Sequence, residues 1–305
     1  MEYEEIADLE DISNKAIEKI DNKLYLINFD LRVAFAKNLV NVPISNFYHD
    51  ALDFQNKKCP DTLHMNHGEF IHRVGDGIEN VITQLKDKQA SNRAIISLIN
   101  QCEIMNSKDN PIPSFMILQF SIENNTELYV TTYFRALEVS KFLRINTEEI
   151  RQIIQQILTR FLDVNKIYLN IFAFRAYIKR DINPLKKPKI DTFDKQDIFK
   201  YLLASNADLN KLIDLLNEKK TSSTVIEYLS FQNIIDWIKD TSFSSLIHSD
   251  LKKTLVMTIL KEIVEILAYL KDLREKTSHN NEIDTKYAEY QQKVEQLIRV
   301  IRNDS

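Results

Sequence analysis

Two hydrophobic periodicities alternate along this chain, one of two residues and one near 3.6, and their order sketches an architecture. Over 127–135, Leu128, Val130, Thr132 and Phe134 fall on one side of an extended chain, with Tyr129, Thr131, Tyr133 and Arg135 on the other. The run from Ser114 to Ile122 is also strand-like, and Glu-Asn-Asn-Thr between the two supplies turn residues, so a hairpin is predicted. A further strand is expected in KIYLNIFAFRAYI (166–178), where Arg175 and Tyr177 share a face because they are two apart. Helical spacing appears twice: Ile78, Val81, Ile82 and Leu85 form one stripe, and Ile150, Ile153, Ile154, Ile157 and Phe161 a longer one. KLYLINFDLRV (23–33) reads as a strand after an N-terminal helix, and AIISLI (94–99) as a buried strand. The stretch 40–70, with Pro43, Pro60 and many Asn, His and Asp residues, reads as irregular.

Composition changes around INPLKKPKI (182–190), which sets the expected boundary between a domain over 1–185 and a helical domain over 186–305. Beyond it lie DIFKYLL, a helix capped at Ser205, the segment TVIEYLSFQNIIDWIKD, and two long helices at about 249–275 and 281–302. The polar turn EKTSHNNE joins the long helices and predicts an antiparallel hairpin. The apolar stripe of the first suits a core or a protein partner better than a membrane surface.

Only 3 Gly and 6 Pro occur in 305 residues, which favours long helices and leaves no phosphate-cradling glycine loop. The net charge of -4, with both signs interspersed, does not indicate a nucleic-acid binder. The acidic start MEYEEIADLED lacks an apolar leader core, and no run reaches the roughly 18 apolar residues of a membrane span. A cytoplasmic location is expected, in keeping with two isolated cysteines, Cys59 and Cys102. His64, His67 and His72 come closest to a metal cluster, but no second group sits at ligand spacing. They read as polar loop histidines, with no metal expected.

Four landmarks then resemble one family. DGIENVITQLKDKQASNRAIIS (76–97) matches, without a gap, the thymidylate synthase segment built on D-Q-I, V, L-K and S-R-R. PSFMILQF (113–120) looks like its P-C-H-x-x-x-Q-F, RALEVSKFLRIN (135–146) like R-S-x-D followed by Asn, and Arg-Ala-Tyr (175–177) like H-x-Y. The chain thus resembles a divergent thymidylate synthase or deoxypyrimidine hydroxymethylase. The resemblance implies a twisted α/β sheet with flanking helices that dimerises through the sheet. It also implies nucleotide contacts: Arg93 and Arg135 on phosphate (Arg93 reaching into the partner's pocket), Gln119 behind them, Asn146 on the pyrimidine edge and Tyr177 on the sugar. Forked guanidinium groups suit phosphate, and an amide can both donate and accept.

Departures weigh against the family's reaction. Ser114 stands in place of the nucleophilic cysteine, and a serine hydroxyl needs a base beside it. Arg175 replaces the histidine, Asn92 the first S-R-R arginine, Ala136 the phosphate-binding serine and Glu138 the aspartate. FYHDALDF (47–54) holds neither the glutamate nor the tryptophan of the family's E-L-x-W, so no folate cofactor is expected. Simpler roles stay open for each residue. Asn146 with Glu149 would make a capping box, Arg135 could pair with Glu127 on the surface, and Arg175 could pair with Glu138 or a bound phosphate. Three functions remain in play: a nucleotide-binding pseudoenzyme, for instance a sensor in bacterial defence, whose helical domain meets a protein partner; an enzyme of altered nucleotide chemistry using Ser114 with Arg175 or Asp50; or a dimerisation module with a vestigial pocket.

Overall fold

The hairpin sits in the middle of the sheet. β4 (Phe115–Glu123) and β5 (Glu127–Phe134) pair antiparallel. Asn124 and Asn125 turn between them with φ of 54° and 61°, a left-handed conformation that asparagine tolerates better than most residues. The computed structural model describes residues 2–107, 111–179, 186–190, 202–204, 208–221, 225–226, 228–249, 251–276 and 281–302. β7 (Lys166–Tyr177) runs parallel to β5, and the long β2 (Tyr25–Ala36) pairs antiparallel with β7. β1 (Glu4–Glu5) and β3 (Ile95–Ser97) form the edges, and β6 (Leu137–Glu138) pairs parallel with Ala176 and Tyr177 at the end of β7. The result is a seven-stranded mixed sheet in the order β1-β2-β7-β5-β4-β3, within a mixed α/β fold.

Alternation sorts the two faces. Leu128, Val130, Phe134, Ile167, Leu169 and Ile171 are buried and share one core with three helices. These are α1 (Glu10–Ile20), α4 (Gly77–Asp87) and α6 (Phe142–Leu158). Their contributions include Ile12, Ala16 and Ile20; Val81, Ile82 and Leu85; and Ile150, Ile153, Ile154 and Ile157. Each large aliphatic side chain buried this way is worth about 1.5–3 kcal/mol. α4 starts where Asp76 accepts hydrogen bonds from the Ile78 and Glu79 amides, both at 3.1 Å. The other face of the sheet is aromatic. Tyr129 stacks on Tyr168 at 4.6 Å with Tyr3 edge-on to both, and Tyr133 stacks on Phe172 at 5.5 Å.

The stretch 40–70 is more regular than its composition suggests. Two 3-10 turns, Lys37–Asn41 and Ser45–Phe47, lead into α2 (Tyr48–Gln55), and α3 (His67–His72) follows. Elements this short carry too few turns to show a period. Asn66 ties them together, accepting from the Glu69 amide at 3.4 Å and donating to the Asn56 carbonyl at 2.5 Å. Gly68 permits the close approach: a Cβ there would lie 2.2 Å from the Gln55 carbonyl oxygen. AIISLI also differs from expectation. Only Ile95–Ser97 pairs, as an edge strand in which Ile96 is buried and its two neighbours are exposed. α5 (Gln101–Asn106) follows with a complete capping box between Asn100 and Glu103.

The chain divides into two compact units, Met1–Asp181 and Ile182–Ser305. The second contains a short parallel pair, β8 (Lys189–Ile190) with β9 (Val225–Ile226), and the helices α7 (Leu209–Thr221), α8 (Tyr228–Lys239), α9 (Thr241–Ser244), α10 (Lys253–Lys276) and α11 (Asn281–Arg302). Tyr269 of α10 bonds Glu282 at the start of α11, and Glu262 pairs with Lys293 further along, so these two helices are antiparallel. Leu260, Ile263 and Leu267 pack in one core with Val294, Leu297 and Ile298. Ser205 and most of DIFKYLL lie outside the described residues. No helix among the described residues is long and apolar enough to cross a membrane.

Candidate functional site

Where β4 begins and β5 ends, several sequence-predicted residues meet. The Arg135 amide donates to the Ser114 carbonyl at 2.9 Å, fixing the two strand ends side by side. A one-residue irregularity follows, because Phe115 pairs with Phe134 and Ile117 already with Tyr133, leaving Met116 extra in β4. The Arg135 guanidinium donates to two backbone carbonyls, Pro113 at 3.2 Å and Ile112 at 3.0 Å. It does not pair with Glu127, which lies at the far end of β5 and bonds Asn124 and Tyr168. No carboxylate forms an ion pair with Arg135 among the described residues. Burial pushes its pKa down, and the neighbouring Tyr177 acts the other way. Tyr177 is itself raised, first by burial and then by the Glu138 charge, with Arg135 opposing.

Glu138 explains how α6 starts. Its carboxylate accepts from the amides of Ser140, Lys141 and Phe142 at 2.8, 2.8 and 3.0 Å, and from Lys179 at 3.1 Å. It therefore holds the two residues before the helix and satisfies the amide of Phe142, where the helix begins. The capping box expected between Asn146 and Glu149 does not form, since both residues lie inside the helix. Nor is Glu138 an ion-pair partner for Arg175. That side chain is exposed, and its guanidinium lies over the Tyr25 ring at 4.5 Å.

Asn146 is buried, and among the described residues its amide has no hydrogen-bond partner. One turn on, Glu149 is also buried, and both of its oxygens face Nδ1 of His67, at 2.9 and 3.0 Å. His67 is thus no polar loop histidine. It is packed between Phe54 and Phe115, with ring centroids 5.2 and 5.5 Å away. Burial raises the Glu149 carboxyl above its ordinary value, opposed by the charge and hydrogen bond of His67. Phe115 stacks on Phe134 at 4.7 Å, and these two rings precede or follow Arg135 and Ser114 directly in the chain. The pair was invisible in the sequence because 82 residues separate its members. The available signal was the carboxylates of Thr-Glu-Glu-Ile-Arg flanking an otherwise apolar stripe.

Arg93 and Gln119 lie elsewhere. Gln119 pairs with Ile95 of the edge strand and with Thr131, and its amide donates to the Asn92 carbonyl at 3.5 Å. Arg93 is exposed just before β3. Five strand residues separate Gln119 from Ser114, about 17 Å. So Ser114, Arg135 and Tyr177 meet at one end of the sheet, His67 and Glu149 pack against Phe115 next to Ser114, and Asn146 lies one turn before Glu149 on α6, while Gln119 lies further along β4 beside Asn92 and Arg175 lies over Tyr25. Among the described residues no group of histidine, cysteine and carboxylate side chains is arranged to hold a metal ion. No protein-family model matches this chain, and neither does any curated protein.

Proposed function

We propose that the sheet end around Arg135 binds a nucleotide or similar phosphorylated ligand, and that the chain works as a catalytically degenerate, synthase-like sensor or regulatory module. The observation that carries this reading is the state of Arg135. It is a partly desolvated cation with carbonyl partners only, beside a tyrosine held in a half-buried setting. An arginine so placed gains a charge-assisted partner when an anion arrives, worth about 1.5–3 kcal/mol per bond. The hydroxyls of Ser114 and Tyr177 and the amide of Asn146 have no hydrogen-bond partners among the described residues, which leaves donors and acceptors for a sugar and a base. A panel of 5′-deoxynucleoside monophosphates should raise the melting temperature, and Arg135→Ala should abolish the rise. A panel with no effect on wild-type protein contradicts the reading.

The same reading calls for a second copy of the chain. Arg93 is exposed on the edge of the sheet, too far along β4 to serve the Arg135 of its own chain. The aromatic outer face, with Tyr133, Phe172 and the exposed Phe174, offers a surface for such pairing. Phe172→Asp should convert a dimer into a monomer in sedimentation, and a wild-type monomer contradicts this part.

A further inference from the structure

His67 keeps 4% of its surface and Asn146 7%, yet each presents polar atoms without protein partners among the described residues. Nδ1 of His67 is taken by Glu149, while Nε2 makes no hydrogen bond and is not one of the sealed unpartnered atoms of the interior. Part of the little exposure His67 retains therefore belongs to Nε2. We propose that His67, oriented by Glu149, is the proton-handling contact of this site. Its Nε2 accepts a hydrogen bond, and at the appropriate pH a proton, from an N–H or O–H of the bound nucleotide beside the amide of Asn146. This inference rests on the ligand-binding reading above.

Three features of the geometry support it. When Glu149 is ionised, its carboxylate accepts from Nδ1–H and leaves the Nε2 lone pair available, and it then stabilises the imidazolium if Nε2 takes a proton. The proton leaves the ligand for Nε2 and returns on release, with no other bond changed. The rings of Phe54 and Phe115 grip the imidazole on two sides, so Nε2 has a fixed direction. Finally, Asn146 precedes Glu149 by three residues and so lies on the same flank of α6. Glu148 is bound by Arg151, and Gln55, which is neutral, donates to the Glu149 carbonyl at 2.7 Å. A pair that only packed the interior would gain nothing from an open Nε2.

Diethyl pyrocarbonate, which modifies unprotonated imidazole nitrogen, tests this on the full chain with mass-spectrometric readout at His67. Modification is expected, and a monophosphate that raises the melting temperature should slow it several-fold. The affinity for that ligand should depend on pH, and His67→Gln should flatten this dependence. If the ligand binds but neither protects His67 nor loses its pH dependence in the variant, the proposal is overturned while the pocket reading stands. If no monophosphate binds, both fall. Should His67→Gln fail to fold, Glu149→Gln and the wild-type labelling decide: unprotected or unreactive His67 overturns the proposal.

Discussion

Glu148 and Glu149 are neighbours on α6, both buried, and their surroundings could hardly differ more. Glu148 is saturated: the Ile44 amide, two nitrogens of Arg151 and the Gln152 amide all donate to it, at 2.6–2.9 Å. Arg151 in turn donates to the Val40 carbonyl at 2.5 Å, so this cluster clips the 37–47 segment onto the helix. Glu149 has one side-chain partner, His67, and the groups around that pair keep open valences. Buried polar groups are normally satisfied, because leaving one unpaired costs about 1–3 kcal/mol. A saturated cluster therefore reads as architecture, and an unsaturated one on the same helix reads as a place held for something else.

Breaking the saturated side should have the largest effect. Arg151→Ala strands a buried carboxylate and should cost about 3–5 kcal/mol in chemical denaturation; a loss below about 1 kcal/mol would show that the clip is not structural. Next comes Glu138→Ala, which leaves the amides of Ser140, Lys141 and Phe142 at the start of α6 without their acceptor. It should cost about 1–3 kcal/mol and lower the melting temperature by several degrees.

The open side should show itself in pH dependence. The Glu149 carboxyl titrates above its ordinary value because it is buried. It holds its proton more tightly in the folded state, so its contribution to stability is complete below the unfolded value and is lost as pH rises through the folded one. The stability of Glu149→Gln relative to wild type should therefore improve from about pH 4 towards neutrality. A difference that stays flat with pH would contradict the raised carboxyl. Smallest of all, Asn146→Ala should cost no more than about 1 kcal/mol, since no protein bond is lost, and yet weaken nucleotide binding. A large loss of stability would place Asn146 with the architecture instead.

Much of the sheet was legible in the sequence, and the reasons are particular. β5 and most of β7 alternate cleanly because one face meets three helices, and Asn124–Asn125 announce the turn between β4 and β5. That Ser114, Arg135, Asn146 and Tyr177 belong to one site was what the family resemblance implied, and spacing along the strands alone did not show it. What escaped was the start of α6 and the role of Glu149. The local pattern Asn-Thr-Glu-Glu is a sound capping signal, but the helix starts five residues earlier, held by Glu138 from a strand whose position only tertiary pairing fixes. His67 escaped for a related reason: its partner is distant in sequence, and short helices within 40–72 leave no periodic trace.

The most direct measurement is the paired effect of Arg135→Ala on affinity and on stability. Titration calorimetry with the monophosphate that best stabilises the wild-type protein should show binding weakened by about tenfold or more. Denaturation should show a loss of only about 1–3 kcal/mol, from the two carbonyl bonds, with the protein still folded under the titration conditions. Unchanged affinity, or a loss of stability that accounts for the loss of binding, would mean that the open groups at this end of the sheet are not a ligand site.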